Sequence, residues 1–286
     1  LSTATDDFLA HAIVHGRPGT SMSAWGASRG GPVDEGHELT SLVAFLRSAQ
    51  IIESVDVSDV VVSPHTDQAG VIYELRCLSC HGEAGAGGPY MSLNNPEMHA
   101  TASDGFLLYA IEHGRTGTPM PAFGSGTNPL TRQQMEDLVL WLRAQALPPH
   151  ERSLELPSTD LGDPVLNKGG PEATWTTSER LVGLEEIFGQ LEAGAELVFI
   201  DARPPADYVE GHIAGAVSVP FYAVDDFLDQ LPEDVWIVAY CACPHAESGH
   251  AADVLEGAGY TRVKVLDEGY NAWVEAGHPV TAGVSP

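Results

Sequence analysis

The chain has 286 residues, 43% of them hydrophobic, enough for two or three domains with real cores. Forty acidic residues stand against 13 basic ones, a net charge of −27, which excludes nucleic acid as a partner because phosphates need a basic surface. No apolar run is long enough for a transmembrane helix, and four cysteines in a chain this long do not make a disulfide scaffold.

In chain order, the first feature is half of a repeat. The run Ala4 to Gly26, containing Phe8, His15-Gly16-Arg17 and Met22, recurs as Ala102 to Gly124 with Phe106, His113-Gly114-Arg115 and Met120, at an offset of 98 positions. Each copy is followed by a helix with apolar residues at i, i+3, i+4 and i+7: Leu39, Leu42, Val43 and Leu46, then Met135, Leu138, Val139 and Leu142. Thr131 and Gln134 form a capping box that opens the second of these helices. His15 and His113 end their helices and read as surface residues. Residues 51–66, Val-rich and acidic, read as a linker, and Asp67 to Arg76 as a helix.

That helix delivers Cys77-Leu78-Ser79-Cys80-His81, the C-x-x-C-H pattern of a covalent c-type haem. Two thiols three positions apart can each add to a haem vinyl group, and the adjacent imidazole then meets the iron. Haem of this type is attached on the outer side of an energy-conserving membrane, so the motif implies a periplasmic or otherwise exported protein. Moved back by the repeat offset, the motif falls ahead of Leu1. The first 50 residues therefore read as the rear half of a haem domain whose own attachment motif lies upstream.

Residues 67–145 resemble a class I cytochrome c domain through Gly70, Tyr73, Cys77, Cys80, His81, Gly82 and Gly117-Thr118-Pro119-Met120-Pro121. The resemblance implies an all-α fold with one haem c. Cys77 and Cys80 would form the thioethers, His81 would be the proximal iron ligand and Met120 the distal one. Pro119 and Pro121 restrict the backbone on either side of Met120. Met91 and Met98 are the rival methionines. Met22 would be the axial ligand of the first haem, so that a second haem c is expected in the full-length protein. With both axial positions filled, such a domain carries electrons and leaves no open position for a substrate.

Residues 146–178, rich in Pro, Ser and Glu, read as an extended connector. Beyond it the apolar runs Leu197–Ile200, Val235–Tyr240 and Val263–Leu266 alternate with helical stretches, which predicts an α/β doubly wound domain over 179–282. Cys241 follows the second run, at the carboxyl end of a strand where such folds bind ligands. This region resembles a rhodanese-like domain through Ile200-Asp201-Ala202-Arg203, Tyr208, Glu210-Gly211-His212-Ile213-Ala214-Gly215-Ala216, Pro220, Tyr240-Cys241, Gly269, Trp273 and Gly277-His278-Pro279. The resemblance maps the persulfide-carrying cysteine onto Cys241, while Asp201 and Arg203 read as structural partners that brace the loop.

The loop Cys241-Ala242-Cys243-Pro244-His245-Ala246-Glu247-Ser248 departs from active sulfurtransferases, which place Arg or Lys and Gly there. Glu247 opposes a dianionic thiosulfate, and His245 is the lone candidate cation. Cys243 is a candidate resolving thiol, and a Cys/Cys/His metal site with His245 or His250 is a further option. Three functions stay open. One is an exported electron-transfer cytochrome with a sulfur-handling or docking domain. Another is a sulfurtransferase or persulfide-oxidising enzyme with haem as electron acceptor. The third is a non-catalytic subunit of a respiratory or photosynthetic complex. The acidic charge favours redox partner proteins with basic docking surfaces.

Overall fold

The computed structural model describes residues 1–17, 22–88, 90–147, 155–242 and 245–286. Contacts divide the chain into two compact units: Leu1–Thr20 with Asp34–Glu151, and Ser21–Val33 with Arg152–Pro286. The stretch 1–50, expected as one piece, is thus shared between them.

The first unit is helical. It contains α1 (Asp6–His15), α2 (His37–Ser48), α3 (Ala69–Arg76), α4 (Leu78–His81), α5 (Pro96–Thr101), α6 (Asp104–His113) and α7 (Arg132–Gln145). The sequence repeat is also a repeat of side-chain brackets. Thr5 caps α1 by accepting from the Phe8 amide at 3.0 Å, and Ser103 caps α6 from Phe106 at 3.1 Å. Arg17 lies 4.8 Å over the Phe8 ring and Arg115 lies 4.6 Å over Phe106. Arg47 donates to Asp6 at 2.7 Å and to the Ala4 carbonyl, while Arg143 donates to Asp104 at 2.9 Å and to the Ala102 carbonyl.

The two copies differ in what covers them. The apolar face of α7 is buried, with Leu138 at 2% exposure and Val139 at 0%, and its Trp141 stacks on Tyr73 of α3 with ring centroids 4.4 Å apart. Each such side chain contributes roughly 2 kcal/mol by leaving water. In α2, Leu39 and Val43 are buried, but Leu42 is 39% exposed and Phe45, the counterpart of Trp141, is 67% exposed. The capping box of Thr131 and Gln134 is present.

Residues 51–66 are more than a linker. Val57 joins the core, and Val60 and Val62 pack against it. A Cβ at Gly105 would meet the Val57 carbonyl oxygen at 2.1 Å, so only glycine admits this approach. The buried Asp137 carboxylate accepts from the amides of His65 at 2.7 Å and Thr66 at 3.0 Å.

The second unit contains β1 (Leu181–Val182), α8 (Leu184–Glu192), β2 (Leu197–Asp201), α9 (Pro205–Glu210), β3 (His212–Ile213), β4 (Val217–Ser218), β5 (Trp236–Tyr240), α10 (Ala246–Gly257), β6 (Val263–Leu266), α11 (Gly269–Glu275) and β7 (Val280–Thr281). Five strands form a parallel sheet in the order β1-β6-β5-β2-β4, with Leu197 opposite Trp236 and Asp201 opposite Tyr240. An antiparallel pair, β3 and β7, lies outside it.

Strand alternation sorts the core into two layers. Val198, Ile200, Ile237 and Ala239 enter one, while Leu197, Phe199, Val238 and Tyr240 enter the other with Trp273. Both faces are covered, which is why these strands read as continuous apolar runs. The connector is not free over its described part: Leu161 enters the first layer, and Leu166 exchanges backbone hydrogen bonds with Leu197 at 2.8 and 3.3 Å. Residues 22–33 also pack on this unit. The Trp25 ring meets Phe221 edge-on at 5.7 Å, Tyr222 donates to the Gly30 carbonyl, and Arg29 lies 3.6 Å from Glu210.

Candidate functional site

In the helical unit, α3 and α4 join at Cys77. The Cys77 amide bonds to the Tyr73 carbonyl at 2.8 Å and the His81 amide to the Cys77 carbonyl at 2.9 Å, so a single turn presents Cys77, Cys80 and His81 together. The three line one cavity of about 350 Å³ with overwhelmingly apolar walls, closed by Ile111, Phe123, Leu138 and Leu142 and by the loop of Pro119, Met120 and Pro121. That loop is drawn in at Gly114, where φ is +67° and a Cβ would meet Pro121, Ala122 and the Met120 carbonyl at 2.6–2.7 Å.

His81 Nδ1 lies 2.9 Å from the Met91 carbonyl. A carbonyl only accepts, so Nδ1 carries the proton and Nε2 keeps its lone pair for a metal. Burial, followed by the nearby Cys80, pushes the Cys77 thiol up to about 11. That is the opposite of what a redox-active dithiol requires. Met120 and Met91 both line the cavity, whereas Met98 is packed in the core at 3% exposure and does not. Met22 lies in the other unit, 38% exposed. A flat apolar macrocycle with two thiol anchors and a metal fits this donor set and these walls.

The second site follows β5. Cys241 is 1% exposed, its Sγ is 3.2 Å from Ser248 Oγ, and its carbonyl accepts from the Tyr270 amide at 2.8 Å. Cys243 lies outside the described residues. Asp201 and Arg203 form a buried ion pair: Arg203 reaches Asp201 at 2.5 and 2.9 Å and donates to the Gly211 carbonyl at 2.6 Å. Tyr240 donates to Asp201 at 2.8 Å and accepts from the Ile213 amide at 3.1 Å. The arginine's charge is therefore spent inside the fold.

His245 opens α10 with φ +61°, and its Nε2 is 3.1 Å from Asp267. The rest of the neighbourhood holds buried carboxyls. Burial pushes Glu247 up to about 7, helped by Asp207 and Asp201, and burial pushes Asp207 up to about 6. Both carboxyls hydrogen-bond Ser23, itself 4% exposed. Among the described residues, Glu247 Oε2 and Asp207 Oδ2 find no further partner. Sequence reading missed Ser23 and its segment entirely, because the repeat assigned them to the helical half.

The family model of a rhodanese-like domain matches residues 185–276, and that of cytochrome c oxidase, cbb3-type, subunit III matches residues 65–142. A sulfurtransferase of Allochromatium vinosum is 31% identical over 98 residues, 34% of this chain and 91% of the relative. An HTH-type transcriptional regulator of Mycobacterium tuberculosis is 37% identical over 116 residues, 40% of this chain and 47% of its own length. The solution structure of a rhodanese-like domain from Anabaena sp. is 29% identical, with 37% of this chain and 81% of that chain covered and a TM-score of 0.35. Through its C-terminal domain the chain belongs to the rhodanese-like family. Ahead of that domain it carries a cytochrome c domain of cbb3 subunit III type, which implies covalently bound haem c. No described helix is long and apolar enough to cross a membrane.

Proposed function

We propose that this chain is an exported carrier of single electrons, with haem c held by Cys77, Cys80, His81 and Met120, and that its rhodanese-like domain handles sulfane sulfur at Cys241. The observation that carries the reading is the His81 tautomer: Nδ1–H is engaged by the Met91 carbonyl, and Nε2 is left for iron on a cavity wall that also holds both thiols. Haem c supplies reversible one-electron chemistry when bound. The chain supplies the rest. Cys77 and Cys80 would anchor the group, His81 would ligate its iron, and the apolar walls would exclude water and favour the less charged ferrous state. The Met91 carbonyl is engaged by His81, and Met120, on the Pro119–Pro121 loop that also lines the cavity, is the methionine that would complete the iron's ligands. A pyridine haemochrome assay tests this: one haem per chain survives acid–acetone extraction in the wild type, and extractable haem or none would refute it.

The repeat reads residues 1–50 as the rear half of a first haem domain, with Met22 as the counterpart of Met120; α1 and α2 keep to the helical unit, whereas 22–33, Met22 included, belongs to the rhodanese-like unit. The repeated arginine brackets and the uncovered Leu42 and Phe45 support this. The complete reading frame is the test, and finding no second C-x-x-C-H upstream overturns it. The charge of −27 favours basic redox partners by steering.

At Cys241 the acidic surroundings disfavour dianionic thiosulfate and suit a persulfide donor of low charge. Assays with cyanide as acceptor separate the alternatives. Cys241-dependent turnover with a cysteine persulfide donor, and little with thiosulfate, is expected. No Cys241-dependent turnover with either donor leaves docking as the role of the domain.

A further inference from the structure

The end of α1 carries two imidazoles one turn apart, His11 and His15, with ring centroids at 4.1 Å. Helical i, i+4 spacing brings them together. Across from them, in the first turn of α5, Glu97 places Oε2 2.7 Å from His11 Nε2 and 4.0 Å from His15 Nδ1. One ligand atom from each residue falls within 4.8 Å of the others. Among the described residues no other group of three His, Cys, Asp or Glu comes this close.

The second repeat provides an internal control. Its equivalent positions hold Tyr109 and His113, with ring centroids at 4.2 Å. The fold thus pairs two rings at this place in both copies, but only the first copy makes both of them imidazoles and faces them with Glu97. The pair is not needed for packing, since a phenol does the same job in the second copy.

We propose that His11, His15 and Glu97 form a binding site for a divalent transition-metal ion of zinc type. Two neutral imidazoles and one carboxylate are the ligand set of a three-residue site with a fourth position for water. Tetrahedral ligands at ordinary zinc distances sit about 3.3 Å apart, between the two separations already present. The side chains are 23%, 30% and 15% exposed, which is deep enough to hold an ion and open enough to admit one. His15 is in the last turn of α1, where the helix dipole favours a cation, and the chain's charge of −27 acts in the same direction. The ion would clamp α1 of the first repeat to α5, which precedes the second. The site shares no residue with the haem cavity or with Cys241 and rests on neither reading.

The test is zinc titration of the purified, haem-loaded full chain by calorimetry, with a chromophoric chelator as competitor. One zinc ion per chain is expected at this site. His11→Tyr, which installs the ring the second repeat already uses, weakens it at least ten-fold, as do His15→Ala and Glu97→Gln. His113→Ala and Cys241→Ser leave it unchanged. Zinc also raises the Tm of wild type and not of His11→Tyr. Zinc binding that survives His11→Tyr combined with His15→Ala, binding that is lost in Cys241→Ser, or no binding by wild type at millimolar zinc overturns the proposal. Should Glu97→Gln fail to fold, His11→Tyr and the wild-type Tm shift still decide.

Discussion

Glu247→Gln isolates the cost of keeping a buried acid next to Ser248, whose hydroxyl meets Cys241. Glu247 is 6% exposed, and burial raises its carboxyl from 4.5 to about 7. That displacement corresponds to about 3 kcal/mol between the two charge states. The sign follows from linkage. Because the folded-state value lies above the unfolded one, the folded protein holds this proton more tightly. The resulting stability is fully present below pH 4.5 and is lost as the pH rises through 7.

Asp207, raised from 3.8 to about 6, acts in the same direction, and sharing Ser23 makes the two effects non-additive. Glutamine keeps the shape and the bond to Ser23 but never ionises. The variant should be more stable than wild type by about 1–3 kcal/mol at pH 8 and equal to it within about 0.5 kcal/mol at pH 4.5. Urea unfolding of the full chain, followed by tryptophan fluorescence, reads this out, since four of the five tryptophans lie in the C-terminal unit. A variant no more stable than wild type at pH 8 would mean that Glu247 ionises as if in water, and the burial account of the site would be wrong. If the proposed sulfur chemistry holds, the same substitution should raise turnover with thiosulfate, by removing an acid next to Ser248, whose hydroxyl meets Cys241.

The repeat supplies a matched pair of cavity tests. Leu138→Ala, at 2% exposure, should cost about 2–5 kcal/mol, and its counterpart Leu42→Ala, at 39% exposure, less than about 1 kcal/mol by thermal unfolding. Equal costs would mean that the two apolar faces are equally covered. On the proposed ligation, Met120→His should lower the midpoint potential in a spectroelectrochemical titration, whereas Met98→Ala should lower Tm and leave the potential in place. A potential that moves with Met98 and not with Met120 would reassign the ligand. Gly105→Val should destabilise the helical unit in thermal melts, because its Cβ runs into the Val57 carbonyl.

Local chemistry was legible without coordinates. C-x-x-C-H needs only one helical turn to bring two thiols and an imidazole together, so its spacing states its geometry. The capping box at Thr131 and the buried faces of α7, β2 and β5 were equally readable, because period 3.6 and period 2 are properties of the backbone. The repeat was readable too, but not what each copy touches.

Tertiary packing decided the rest. It gave Ser23 to the carboxyls beside Cys241, bound Val57 to Gly105, committed Arg203 to Asp201, and set Glu97 against His11 and His15. Each of these joins residues distant in sequence, or depends on desolvation that only burial supplies, and neither leaves a periodic trace. Residue order alone therefore marked the haem-attachment motif and the rhodanese-like domain. Only the folded structure decided which charges are spent inside the protein and which side chains remain free to act.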